Sequence, residues 1–383
     1  MISRHLGPEA LQTAKEFKIV CVTGPRQSGK TTLCKQLFKD KPYVSLEDPD
    51  VAEYAANNTR KFLSQFKNGA IFDEAQRVPQ LFNYLQTRVD AKKTAGQFIL
   101  SGSNNFLLQD TISQSLAGRV GYIELLPFSW SELTNRKQAL SLEERMLQGF
   151  YPAVVTNKSD FKRWYPNYIK TYVERDVRLI RNIGNMLLFT KFLKLCAARA
   201  SQLLNVNSLA TEVGVDNKTI MAWLGVLESS YIAFLLQPYH QNFNKRVIKS
   251  PKLYFHDTGL LCSLLNITSV EALKRSSFYG ALFENFMIAE LKKNRYNKER
   301  FGDLYFFRDS TGNEVDVIIE SDTGLLPIEI KSSKRIDKPQ FKNIKWFQKV
   351  FRQGGGVLIN AGEEEKLLND DIQVLGWQAV SGL

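Results

Sequence analysis

The stretch Gly24-Pro25-Arg26-Gln27-Ser28-Gly29-Lys30-Thr31 constrains this chain more than any other. It fits G-x-x-x-x-G-K-[ST]. A short apolar run, Phe17 to Val22, precedes it, and a helical pattern, Thr31 to Phe38, follows it. In that context the glycines let backbone amides turn inward around phosphates. The Lys30 side chain reaches the β and γ phosphates of a nucleotide, and the Thr31 hydroxyl is a ligand for Mg²⁺. Further short apolar runs, at Tyr43 to Leu46, Gly69 to Phe72 and Phe98 to Leu100, alternate with helical segments such as Pro79 to Val89. Alternation of this kind implies βαβ units around a parallel sheet.

A phosphate-binding loop needs a carboxylate on a neighbouring strand. Ala70-Ile71-Phe72-Asp73-Glu74 supplies two. Asp73 would hold Mg²⁺ through water, and Glu74 would polarise the attacking water, the role that separates a hydrolase from a binder. A surface turn with two acids is the plain alternative. The run Phe98 to Leu100 ends in Ser101-Gly102-Ser103-Asn104, which makes Ser103 and Asn104 candidate sensors of the γ-phosphate, or else capping residues. Arg119, in Leu116-Ala117-Gly118-Arg119-Val120, is a candidate arginine finger acting across a subunit boundary, or else a structural ion pair. The nucleotide set is thus Gly24, Pro25, Arg26, Gln27, Ser28, Gly29, Lys30, Thr31 and Thr32, with Asp73, Ser103 and Asn104. Its cofactors are ATP and Mg²⁺.

These residues resemble the AAA-type branch of the P-loop ATPases. More narrowly, they resemble a prokaryotic group in which the loop is followed by five further motifs. Here those are Asp73 to Gln76, Ser101 to Asn104, Leu116 to Arg119, Pro127 to Glu132 and Tyr168 to Asp176. The resemblance runs nearly the full length. It implies an ATPase followed by a winged helix and by a C-terminal domain of unknown function with a restriction-nuclease-like core.

Charge divides the chain in the same places. Residues 1–135 carry 16 Lys and Arg against 13 Asp and Glu, residues 136–280 carry 20 against 10, and residues 281–383 carry 15 against 16. Most of the net +12 therefore lies in the middle third, which suggests a polyanion partner there, a solubilising surface being the bland reading. Within it, Leu209 to Leu227 matches a helix-turn-helix, with Ala210 small, Gly214 at the turn and Ile220 on the core; Asp216 or Asn217 caps the second helix. Ala233 to Pro238 and Lys252 to Phe255 would form the wing. Lys218, Lys245, Arg246 and Lys249 are the candidate nucleic-acid contacts. The second helix lacks arginines that read bases, so packing between domains is the competing role.

In the last third, Glu314-Val315-Asp316-Val317-Ile318 and Pro327-Ile328-Glu329-Ile330-Lys331 read as two paired strands. Period two puts Glu314 with Asp316, and Glu329 with Lys331, on shared faces. Pairing converges these acids, and Glu284 on the preceding helix adds another. The segment resembles the PD-(D/E)XK nucleases. The resemblance implies a metal held by Glu284, Asp316 and Glu329, and a Lys331 that positions water. A hairpin with solvated charges is the alternative, but apolar flanks argue against exposure.

With 383 residues, 44% of them hydrophobic and 23% charged, the composition is that of a folded globular protein. No apolar run is long enough for a membrane helix, and the four scattered cysteines read as reduced thiols, so a cytoplasmic location is expected. The expected fold class is α/β: an AAA-like P-loop domain at 1–135, a helical and winged-helix domain at 136–275, and a restriction-endonuclease-like domain at 276–383. The expected function is ATP hydrolysis coupled to DNA in a homo-oligomer. The alternative is a signalling switch whose later domains are regulatory or scaffolding modules without nuclease activity.

Overall fold

The structure is a computed structural model, and it describes residues 2–92, 94–102, 116–134, 140–157, 159–173, 185–239, 249–298, 304–322, 324–363, 366–367 and 371–383. The chain divides into two compact units. The first is Met1–Phe128 with Ser229–Tyr231 and Tyr296–Glu299. The second is Ser129–Glu228, Ile232–Arg295 and Arg300–Leu383.

In the first unit, β1 (Ile19–Thr23), β2 (Tyr43–Ser45), β3 (Ala70–Asp73), β4 (Phe98–Ser101) and β5 (Val120–Glu124) form one sheet in the order β2-β3-β4-β1-β5. Every pairing in it is parallel. Side chains alternate between its two faces, as period two requires. Ile19, Cys21, Phe72, Phe98 and Leu100 pack on one face, with Leu81 and Leu85 of the helix Gln80–Asp90. Val20, Val22, Ile71 and Ile99 pack on the other, with Leu33 and Cys34 of the helix Lys30–Leu37. Both faces are covered, which explains why the strands read as unbroken apolar runs. The order inserts β4 between β1 and β3, so the ends of these three strands stand side by side. Strand β5 and the helix Gly7–Glu16 had no clear signal, since Gly121 interrupts β5 and the helix carries few apolar residues.

The second unit opens with short helices and continues through the helix Met186–Ala198, β6 (Gln202–Leu203), the helices Val206–Val213 and Asn217–Ser229, β7 (Ala233–Pro238) and β8 (Lys252–Phe255). After the helix Tyr279–Tyr296 come β9 (Leu304–Arg308), β10 (Glu314–Ser321), β11 (Gly324–Lys331), the helix Lys342–Phe351, β12 (Gly356–Asn360), β13 (Lys366–Leu367) and β14 (Ile372–Gly376). One nine-stranded sheet runs β13-β14-β12-β11-β10-β9-β7-β8-β6. Strands β9, β10 and β11 are antiparallel neighbours in that order, and the crossover helix returns the chain to β12, parallel to β11. Residues on both sides of position 275 share this sheet, because β7 pairs with β9 in parallel at Gln237↔Tyr305 and Pro238↔Phe306. Asp257 ties the helical part to the same unit: its carboxylate accepts from the Phe150 and Leu260 amides at 2.7 and 2.9 Å and from the Tyr165 hydroxyl at 2.7 Å.

Candidate functional site

The loop between β1 and the helix Lys30–Leu37 turns where only glycine fits. Gly24 has φ 141°, and a Cβ there would stand 2.2 Å from the Leu125 carbonyl oxygen. Gly29, at φ 97°, precedes the helix. Lys30 is buried, and its Nζ donates to the Gly24 and Pro25 carbonyls at 3.0 and 2.8 Å. Burial pulls its pKa down to about 8, against the opposing pull of Glu74 and Asp73. The Ser28 hydroxyl is fully buried in the loop with no hydrogen-bond partner. An orphaned donor beside a lysine and a helix N-terminus is what a phosphate group would satisfy. Arg26 is half-buried, and Gln27 and Thr32 are exposed.

Asp73 ends β3 and gathers three hydroxyls. Thr31 Oγ1 and Tyr43 OH donate to its Oδ2 at 2.7 and 2.9 Å, and Ser101 Oγ donates to Oδ1 at 2.5 Å. Pairing of Asp73 with Ser101 across β3 and β4 sets this arrangement. Glu74 follows with φ 54°, and its Oε2 accepts from Gln76 Nε2 at 2.5 Å. Loop, threonine and acidic pair therefore stand together as the spacing implied. Sequence reasoning missed Tyr43, Ser101 and Arg4. The Arg4 guanidinium donates to the carbonyls of Ser28 and Leu126 at 2.9 and 2.6 Å and lies 4.6 Å from the Phe128 ring centroid. Nothing near Arg4 in the sequence announces that contact.

Arg119 does not join this group. It makes a two-pronged pair with Asp90, Nε and Nη2 each at 2.8 Å, and holds that carboxyl below its ordinary range. It precedes Val120, which pairs with Ile19 at the start of β1, whereas the loop follows Thr23 at the end. The two positions are about 13 Å of strand apart. Ser103, Asn104, Lys245 and Arg246 lie outside the described residues. Lys218 and Lys249 are described and exposed. Asp216 caps the helix that carries Lys218, accepting from the Thr219 amide at 2.7 Å.

In the second unit, the register Val317↔Ile328 brings Asp316 and Glu329 onto neighbouring strands. Lys331 Nζ stands 2.6 Å from Glu329 Oε1 and 3.7 Å from Asp316 Oδ2. The Ile330 amide donates to Asp316 Oδ2 at 2.8 Å, and Asn343 Nδ2 to Glu329 Oε1 at 3.1 Å. Glu329 Oε2 is buried without a partner. Burial, and then Asp316, push the Glu329 carboxyl up to about 8. Glu284 stands close enough to Asp316 for the two carboxylates to repel each other, and it is also engaged from β8. Lys252 Nζ, from β8, lies 3.2 Å from Glu284 Oε1 and 2.5 Å from Glu314 Oε1, and the Tyr254 hydroxyl donates to Glu284 at 2.7 Å. An internal ammonium and a phenol thus engage the carboxylate that the resemblance offered to a metal. Among the described residues no group of three or more His, Cys, Asp or Glu is arranged to hold a metal ion. Asp316 and the orphaned Glu329 oxygen are the two carboxylate groups that could hold a cation here. Lys252, Tyr254 and Asn343 carry no motif that could have shown these contacts.

The five-stranded parallel sheet, the glycine-bounded loop and the Thr31–Asp73 pair define a P-loop ATPase fold of the AAA type. The AAA domain family matches residues 16–134, a domain of unknown function (DUF8612) matches 139–271, and a second such domain (DUF4143) matches 279–380. Uncharacterized proteins of Mycobacterium tuberculosis and Mycobacterium bovis are each 33% identical over 321 residues, which is 82% of this chain and 70% of theirs. The chain belongs to the family of these two mycobacterial proteins. An uncharacterized protein of Haemophilus influenzae is 23% identical over 337 residues, 78% of this chain and 80% of the relative. Among solved structures, a Walker-type ATPase of Pyrococcus abyssi aligns at a TM-score of 0.45 and 16% identity, over 69% of this chain and 96% of that one. No helix among the described residues is long and apolar enough to cross a membrane, and all four cysteines are buried and free.

Proposed function

We propose that the chain binds and hydrolyses ATP at the loop Gly24–Thr31 and couples that reaction to DNA held by its second unit, in the cytoplasm. The observation that carries the first half is the 2.7 Å bond between Thr31 and Asp73, beside the loop that contains the orphaned Ser28 hydroxyl. Thr31 and Asp73 would hold Mg²⁺, which when bound supplies charge neutralisation at the β and γ phosphates. Lys30 would exchange its two carbonyl contacts for phosphate oxygens. Glu74 orients and deprotonates the attacking water, and Gln76, bonded to its Oε2, sets the direction of the carboxylate. Tyr43 and Ser101 position Asp73.

The DNA half rests on the helix–strand–helix–helix–strand–strand order from Met186 to Phe255, which is that of a winged helix, and on the net positive middle third. The helix Tyr279–Tyr296, three antiparallel strands, crossover helix and parallel β12 support a nuclease-like core, with Asp316 and Glu329 as the metal-holding pair and Lys331 beside them. One observation favours the second reading, a switch whose C-terminal part is a scaffold: Lys252 and Lys331 already neutralise much of the acid cluster. A trans role for Arg119 in a homo-oligomer would require breaking its pair with Asp90. ATP turnover measured with and without duplex DNA tests the proposal. Stimulation by DNA supports it, turnover indifferent to DNA favours the switch, and no turnover refutes both.

A further inference from the structure

The helix Lys342–Phe351 and the turn before it segregate charge. Residues 331–352 contain eight Lys and Arg and a single acid, Asp337, although residues 281–383 together carry 15 basic and 16 acidic residues. Spacings of three and four place Lys342, Lys345 and Lys349 on one face. All three are exposed, opposite the buried Ile344 and Phe347. Lys334 and Lys338, also exposed, lie in the segment that leads into the helix. Asp337 is taken by Arg335 at 3.4 Å. A solvated helix face ordinarily mixes signs. Like charges four residues apart repel, so this face is one that a polyanion would relieve.

We propose that Lys334, Lys338, Lys342, Lys345 and Lys349 dock the phosphate backbone of duplex DNA. The row from Lys342 to Lys349 spans about 10 Å at the helical rise. Over that length a duplex presents about six phosphate charges. The same helix is fastened to the acid cluster through Asn343 and Glu329, so the stripe and the cluster share one structural element. An anionic bilayer is the other polyanion of this size. A membrane-lying helix, however, inserts its apolar face, and here that face is in the core, with Phe347 stacked on Phe351 at 3.9 Å. The inference rests on the DNA reading above and deepens it, moving the principal phosphate contact from the winged-helix segments to the C-terminal helix.

The test uses the full chain, a fluorescent mixed-sequence duplex and anisotropy over a series of salt concentrations. The triple variant Lys342→Ala/Lys345→Ala/Lys349→Ala should bind at least tenfold more weakly at low salt. Its log–log salt slope should be shallower by roughly 2 to 3, at about 0.9 for each phosphate no longer neutralised. The triple Lys→Arg variant should keep wild-type binding, which guards against a folding defect. If the Ala variant matches wild type in affinity and slope while Lys218→Ala/Lys249→Ala does not, the stripe is refuted and DNA association stands. If wild type binds no duplex, both fall. Pelleting with phosphatidylserine vesicles at salt where no duplex is bound would overturn the assignment in favour of a lipid surface.

Discussion

The Thr31 hydroxyl donates to Asp73 Oδ2 across 2.7 Å, joining the first turn of the helix after the loop to the end of β3. These residues lie 42 positions apart, and β4 stands between β1 and β3 in the sheet. Asp73 stands level with Ser101, the last residue of β4, which in turn stands level with Val22 near the end of β1, and Ser101 itself donates to the same carboxylate. Two hydroxyls on Oδ2 and one on Oδ1 leave Asp73 oriented toward the loop before any nucleotide arrives.

Lys30→Ala and Glu74→Gln should separate binding from turnover. The first removes the cation from the loop, so a fluorescent ATP analogue should no longer bind measurably. The second keeps the loop intact and removes the base, so binding should survive while turnover falls by at least ~100-fold. Equal loss of binding in both variants would mean that Glu74 supports the fold instead of acting on water.

Gly24→Ala should destabilise the first unit by about 2 kcal/mol or more, since the new Cβ meets backbone at 2.2 Å in a conformation with φ 141°. Gly214→Ala is the contrast. It also has positive φ, at 90°, but nothing lies within 4 Å of its added Cβ, so about 1 kcal/mol is expected. Denaturant unfolding of the two variants checks the difference.

Lys252→Met should be more damaging than any surface change. It leaves Glu284 and Glu314 facing each other without their ammonium, a loss of about 3–5 kcal/mol for a broken buried pair. Adding Glu284→Gln to that variant should recover part of the loss, and a double-mutant cycle measures it. If Lys252→Met unfolds like wild type, the cluster contributes little to stability.

Stability should fall as pH rises through the window set by Glu284. Burial raises its carboxyl from 4.5 to about 7, against the opposing pull of Lys252. Between those values the folded chain keeps a proton that the unfolded chain has released, so each step up in pH favours unfolding. Glu284→Gln should flatten this slope in thermal melts recorded across the window.

Asp90 works in the opposite sense. Arg119 depresses its carboxyl, so its contribution is present above the unfolded value of 3.8 and is lost as pH falls through the folded one. Arg119→Ala should therefore make the acid limb of the melting curve shallower. If turnover per subunit also rises with protein concentration in wild type and not in Arg119→Ala, the arginine has a second role across a subunit boundary.

The parts whose rules are local could be read from the residues alone. Gly24, Gly29, Lys30 and Thr31 could be read because a phosphate loop needs those residues at those spacings. Asp73 could be read because a phosphate loop needs a carboxylate at the end of a neighbouring strand, and the apolar run Ala70 to Phe72 ends in one. The strand pairs β7–β8 and β10–β11 were likewise legible as short apolar runs that follow one another closely in the sequence. Which groups meet across long separations depends on how the chain packs. Tyr43 reaches Asp73, Arg4 reaches the Ser28 carbonyl, and Lys252 enters an acid cluster built from residues 32 and more positions later. The parallel pairing of β7 with β9, which makes one sheet of two stretches that the pattern reads as separate domains, has no local signature either. Parallel neighbours are joined by no turn, and a lysine has the same local chemistry in solvent as opposite a carboxylate. Its role is set by what the fold packs around it.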